Sequence, residues 1–194
     1  MIDMDLGQGY RIQPITYQEY LDACARIEDR IFGDYFAFRW TDTRTPEQQA
    51  RIQELGKMPK GIQVCLGLFF EGELIGWQYS EQLNAQTIVM KDTGWLADHQ
   101  NKGLYSRLLP ELLKLFEALG FEMVLSYHRQ TNNQVILPKL KAGFFINGFR
   151  VDSYGMNVEL IYAFNPDYRE ALHVRSGYRT PRGRMAELLG LSGV

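Results

Sequence analysis

The alternation of Ile62, Val64, Leu66, Leu68 and Phe70, folded back at Glu71-Gly72-Glu73 into a second run over 74–83, narrows the fold most sharply. A period of two sends successive side chains to opposite faces, and a glycine-centred turn between two such runs makes an antiparallel hairpin. Asn84-Ala85-Gln86 turns the chain again, and 87–96 supplies a third neighbouring strand. The period then changes. Leu104, Leu108, Leu112, Leu115 and Leu119 recur at helical spacing, and Gly120 provides the stop. The mostly apolar run 121–127 reads as a buried strand reached through that crossover helix.

The flanks extend this frame. Residues 10–15 form a short first strand. Thr16 and Glu19 have capping-box spacing, and Leu21, Cys24, Ile27 and Ile31 continue at helical spacing, which predicts a helix over 17–32. The segment 34–45 is irregular, aromatic and charged, after which Thr45-Pro46 begins a helix running to Gly56. Asn132 heads another short helix ending at Ala142-Gly143, and 144–153 pairs with 156–164 about Tyr154-Gly155. Pro110 and Pro138 fall inside predicted helices, where each removes a backbone hydrogen bond and bends the axis. The order β-α-α-β-β-β-α-β-α-β-β defines an α/β (α+β) domain over 1–165, with a helical, basic extension over 166–194 packed on it.

Composition excludes several functions. A formal net charge of −2 gives no basic field for nucleic acid. No apolar run reaches the roughly 20 residues of a membrane span, and the acidic N-terminus lacks the pattern of a signal peptide. Cys24 and Cys65 are far apart and read as buried thiols, and no metal-ligand spacing occurs. A cytoplasmic protein without metal is the expectation.

The turn between the third strand and the leucine helix carries the chemistry. Gln100, Asn101, Lys102, Gly103, Leu104, Tyr105 and Ser106 leave a strand and enter a helix, so the first-turn amides lack internal partners. The helix dipole adds attraction for an anion, Gly103 admits a ligand close to backbone, and Lys102 supplies mobile charge. Tyr105 stands where such loops favour a small residue, so its ring is expected to point away from the anion and into packing or along the rim. The alternative is that Gly103 only enables a helix entry.

The order of elements, with this loop, resembles the GNAT superfamily of acyl-CoA-dependent N-acyltransferases over about residues 10–164. The family loop is Q/R-x-x-G-x-G/A; Gln100 and Gly103 match it and Tyr105 departs. The family's later N-x-x-A-x-x-x-Y-x-K-x-G-F is matched by Asn132, Lys141, Gly143 and Phe144, with Val135 at the alanine and Lys139 at the tyrosine. The resemblance implies a central mixed, mainly antiparallel sheet of about six to seven strands, flanked by helices and splayed between 87–96 and 121–127. It implies acetyl-CoA as co-substrate, gripped by residues 100–106. Trp95, Leu96 and Ala97 would pair with the pantetheine arm along one side, and Asn132 would meet it from the other.

The resemblance further implies direct attack by an amine in a ternary complex, so no nucleophilic serine or cysteine is needed. Lys139, at the family's tyrosine position, and Tyr127 are candidate acids for the departing thiolate. Asp92 and Glu81 are candidate bases, with His128 a further one. The acceptor is a primary amine of a small molecule or peptide, and acidic Asp34, Asp42, Glu81 and Asp92 would favour a cationic one. A longer acyl chain would use room beneath Phe36, Phe38 and Trp40. A non-catalytic acyl-CoA-binding module is the competing function, motivated by the missing tyrosine at 139. A homodimer is the candidate assembly.

Overall fold

The computed structural model describes residues 2–33 and 40–191. Asp34, Phe36 and Phe38, invoked above for acceptor charge and acyl length, lie outside the described residues, as does the side chain of Trp40. The strands are β1 (Met4–Gly7), β2 (Tyr10–Pro14), β3 (Gln63–Phe70), β4 (Glu73–Gln82), β5 (Thr87–Trp95), β6 (Met123–Arg129), β7 (Phe145–Asp152) and β8 (Gly155–Ala163). The helices are α1 (Tyr17–Phe32), α2 (Pro46–Gly56), α3 (Leu104–Ala118), α4 (Asn133–Lys141), α5 (Pro166–Arg175) and α6 (Gly183–Leu188).

All eight strands join one sheet in the order β1-β2-β3-β4-β5-β6-β8-β7. That is more than the six to seven expected. The additional strand, β1, is four residues long with only Leu6 buried, so alternation gave it no voice. Every neighbouring pair is antiparallel except β5 and β6, which are parallel and joined through α3.

The β5–β6 pairing is short. It runs from Thr87↔Met123 to Met90↔Ser126 and stops. Beyond that point β5 stays with β4 as far as Gly76↔Trp95, while β6 stays with β8 as far as Arg129↔Asn157. A bulge at Lys91, between the pairs Ser80↔Met90 and Tyr79↔Asp92, bends β5 where the two part. The sheet therefore opens as a wedge whose tip is the Met90↔Ser126 pair. Gly76 makes the upper part of β5 possible, because a Cβ there would lie 2.3 Å from the carbonyl oxygen of Gly94.

Two cores flank the sheet. The larger lies under α3, whose Leu104, Tyr105, Leu108, Leu109, Leu112 and Phe116 pack on Ile88, Met90, Val124 and Leu160. Leu119, the last member of the predicted stripe, is exposed. The smaller core joins Ala23 and Ile27 of α1 to Trp77, with Tyr20, Cys24, Ile31 and Phe32 around it. Leu21, expected on this face, points to solvent, since one residue along a helix is about 100° of rotation from Tyr20. Both prolines sit within their helices. Pro110 is on the exposed side of α3 and leaves the Ser106 carbonyl without its usual helical donor. Helix α5 docks against β7 and β8, and α6 packs on α5. His173 stacks edge-on to Phe145 at 4.4 Å, Arg169 donates to the Ala163 carbonyl, and Met185 is buried.

Candidate active site at the open wedge

A cleft of about 620 Å³ occupies the wedge. Its walls are Thr93, Gly94 and Trp95 of β5, residues 100–106, Arg129 of β6, residues 131–135 with Pro138, and Ile31 and Phe32 of α1. That volume lies within the range of small-molecule sites. Trp95, Gln100, Asn101, Lys102, Gly103, Leu104, Tyr105, Ser106 and Asn132 are all brought to it. Leu96 and Ala97 are not on its wall; the Leu96 N–H is held by the Ile75 carbonyl at 3.0 Å, and Ala97 belongs to a 3₁₀ turn. The strand edge left open by the missing β6 partner is instead the run from Lys91 to Trp95.

The turn into α3 is built to hold its amides still. Gln100 Nε2 donates to the Trp95 carbonyl at 3.0 Å. Arg107, a residue sequence reasoning missed, bonds the carbonyls of Leu6 and Lys102, tying the turn to β1. Tyr10 Oη and His99 Nδ1 are 2.9 Å apart and fix the approach from the other side. Asn101 (φ 59°) and Gly103 (φ 71°) are both left-handed. The first helical hydrogen bond is Arg107 N–H to the Gly103 carbonyl at 3.2 Å, so the amides of Leu104, Tyr105 and Ser106 have no helical acceptor. Gly103 caps the helix without a side-chain bond, and no atom lies within 4 Å of where its Cβ would stand.

The facing helix is less open, since the Asn133 amide donates to the Thr131 carbonyl at 2.9 Å and the Val135 amide to the Asn132 carbonyl at 3.2 Å. Asn132 precedes α4 but makes no side-chain capping bond, and it lines the cleft. Pro138 leaves the Gln134 carbonyl, on the same wall, without its helical donor. By contrast α1, α2 and α5 are capped by the side chains of Thr16, Thr45 and Asn165. Of the helices that border the cleft, α3 thus presents an open, positively polarised end to it.

Tyr105 turns its ring into the main core, 6.3 Å from the Trp95 ring. Its hydroxyl is buried without a hydrogen-bond partner, and burial holds the phenol far above its ordinary pKa.

None of the three candidate catalytic side chains, Asp92, Tyr127 and Lys139, lies on the cleft wall. Asp92 lies on the α1 side of β5, where Trp77 Nε1 donates to it at 2.7 Å and Tyr20 Oη at 3.2 Å. Burial raises its pKa despite those two donors. Glu81 accepts from Tyr79 Oη at 2.6 Å and pairs with Lys91 at 3.2 Å. Burial pushes its carboxyl up, but those partners outweigh it and the net shift is downward. The Tyr127 ring lies under the Arg150 guanidinium at 4.4 Å, and its phenol is raised by burial and by Glu159.

Lys139 is only 1% exposed. Its Nζ sits 3.4 Å from Met90 Sδ and donates to Ser126 Oγ, the two residues of the wedge tip. Ser126 Oγ is in turn 2.6 Å from His128 Nε2. Burial without a carboxylate partner drives the Lys139 pKa well down, and burial with the nearby Lys139 lowers His128 to about 2. The α3–α4 side of the tip is therefore filled. Among the described residues no group of three His, Cys, Asp or Glu side chains is placed to hold a metal, and no helix is long and apolar enough to cross a membrane.

No family model matches the sequence, and no curated protein matches it. Solved structures do. The ribosomal-protein-S5-alanine acetyltransferase of Vibrio fischeri superposes with a TM-score of 0.61 at 12% identity, over 86% of this chain and 98% of that one. The ribosomal-protein-S18-alanine N-acetyltransferase of Escherichia coli gives 0.59 at 16% identity, over 80% and 94%. A GNAT family acetyltransferase from Elizabethkingia anophelis, solved with acetyl-CoA bound, gives 0.54 at 14%, over 81% and 100%. The chain has the GNAT acetyltransferase fold, with the mixed, mainly antiparallel and splayed sheet expected from the sequence.

Proposed function

We propose that this chain is an acyl-CoA-dependent N-acyltransferase that moves an acetyl group from acetyl-CoA to a primary amine of a small molecule or peptide. The observation that carries this reading is the uncapped N-terminus of α3, which opens on a wedge whose far wall carries Asn132. The amides of Leu104, Tyr105 and Ser106, with the Lys102 ammonium, offer a pyrophosphate converging donors and charge. Beyond Gly103 there is room for it. From Trp95 back to Met90, five residues at ~3.3 Å each, the open β5 edge offers amide-rich chain a strand to pair with, and Asn132 faces it. The path ends at the wedge tip.

When bound, acetyl-CoA supplies a thioester carbonyl open to attack. The residues here orient it and govern the acceptor's proton. Lys139, Met90 and Ser126 block one face of the tip, so the acceptor approaches from the α1 face. Asp92 lies on that face, and its raised pKa suits a base that takes a proton from an ammonium, directly or through water. Tyr127 stays a candidate acid across the wedge. Lys139, fully buried, holds the tip shut and serves the chemistry through that position.

Calorimetric titration with acetyl-CoA, beside a thiol-release assay over a panel of amines, tests the proposal. Binding together with release for at least one amine is the expected result. Tight binding without release for any amine would favour the non-catalytic module. No binding would return Gly103 to a purely structural role.

A further inference from the structure

The hairpin of β7 and β8 ends the sheet, and its tip is strongly apolar and open. Phe149 is 66% exposed, Val151 74%, Tyr154 52% and Met156 52%. Val151 lies opposite Met156, and Phe149 lies opposite Val158, a residue of the main core. Phe149, Val151 and Met156 thus share one face and continue the core outward past the last strand. The start of β7 is covered, since Tyr178 Oη donates to the Ile146 carbonyl at 3.0 Å and the His173 ring packs on Phe145. Among the described residues nothing pairs with the outer edge from Gly148 to Asp152.

We infer that this edge is the interface of a homodimer, in which β7 pairs antiparallel with β7 of a second copy about a two-fold axis at Val151. Three observations select the occupant and the register. The hairpin turns in two residues, Ser153 and Tyr154, so Asp152 and Gly155 form its inner hydrogen-bonded pair. Alternation then directs the N–H and C=O of Val151 and Phe149 outward, where a second strand can take them. A two-fold at Val151 sets Arg150 of each copy opposite Asp152 of the other, giving two complementary pairs; a two-fold at Arg150 would oppose two guanidinium groups. The exposed apolar face is self-complementary under the same axis, since Val151 meets Val151 with Phe149 and Met156 to either side. The dimer joins the two sheets into one and removes the edge that an isolated chain would leave open.

Sedimentation velocity on the full chain, from about 1 to 100 µM, tests this. The expected result is a concentration-dependent dimer for the native chain and a monomer for Val151→Lys, with an unchanged circular dichroism spectrum. Arg150→Asp alone opposes two carboxylates in each pair and should weaken the dimer at least tenfold. Adding Asp152→Arg to that chain restores complementarity and should restore the dimer. A monomer at every concentration, a dimer indifferent to Val151→Lys, or a charge exchange that fails to rescue would each overturn the assignment. The measurement is independent of acyl-CoA binding, so its failure leaves the proposed activity standing.

Discussion

Helices α1 and α3 begin in opposite ways. At α1, Thr16 accepts from the Glu19 amide at 3.1 Å while Glu19 accepts from the Thr16 amide at 2.6 Å, a closed capping box. At α3 the cap is a glycine with no side chain to offer, and the first-turn amides face a cleft. Orphan donors cost free energy when left unsatisfied. On the proposed reading, a chain that closes α1 with a capping box but leaves the first-turn amides of α3 open, where the sheet parts, reserves those donors for a ligand. If the proposed function holds, the contrast separates a helix end used for stability from one used for binding.

Gly103→Val is the strongest way to break it. A β-branched residue at φ 71° is strained by about 1–2 kcal/mol, and its methyl groups would fill the open space in front of the amides. Acetyl-CoA affinity should fall at least ~100-fold, about 2.7 kcal/mol by calorimetry, with a smaller loss of stability. Unchanged affinity would show that the open end of α3 grips nothing.

A second contrast lies within the wedge, between its polar mouth and its sealed tip. Burial depresses the pKa values of both Lys139 and His128 at the tip. Between the folded and unfolded pKa values the unfolded chain binds more protons, so stability rises with pH across that window. For Lys139 stability falls as pH drops below its ordinary 10.5, and His128 adds to the fall below 6.5. Each proton contributes about 1.4 kcal/mol per pH unit. Lys139→Met, which keeps the length and removes the amine, should therefore be more stable than the native chain at pH 7. It should also lose the slope that begins as pH drops below 10.5, while the fall below 6.5 remains. Urea denaturation at several pH values checks this. A native chain whose stability does not fall as pH drops below 10.5 would mean that burial leaves Lys139 unshifted.

Thr16→Ala tests the other half of the opening comparison. Losing the cap should cost about 1 kcal/mol, read as a lower denaturation midpoint, and leave acetyl-CoA affinity unchanged. A loss of affinity would show that α1 couples to the cleft through Ile31 and Phe32, and that its cap is not purely structural.

The readable parts of the chain were those whose signal is local. The capping box at Thr16, the period-two hairpin and the entry to α3 each depend on residues close in sequence, and each stands where the pattern placed it. The splay was foreseen only through resemblance, because nothing within β5 alone says that its partner leaves after Met90. Thr93, Arg129, Ile31 and Phe32 were missed as cleft residues for the same reason. They meet only after three separate elements have packed. Lys139 shows the reverse case. Its position was legible, but a lysine reads as solvated until the fold lays it across Met90 and Ser126.

Tyr105→Phe should have the smallest effect, and it decides what that residue contributes. Its ring fills the core beneath the loop, so replacing the whole side chain by glycine would empty a buried aromatic site at ~3–5 kcal/mol and obscure any binding effect. The hydroxyl is different. Buried with no partner, it gains nothing from the fold, and an unsatisfied polar group costs about 1–3 kcal/mol. Removing it keeps the ring in the core and the backbone amide at the helix end. The variant should be equally stable or up to ~1 kcal/mol more stable, with acetyl-CoA affinity within about twofold of native. If affinity instead drops tenfold or more, the hydroxyl reaches the ligand. The amides alone would then no longer account for the grip at α3.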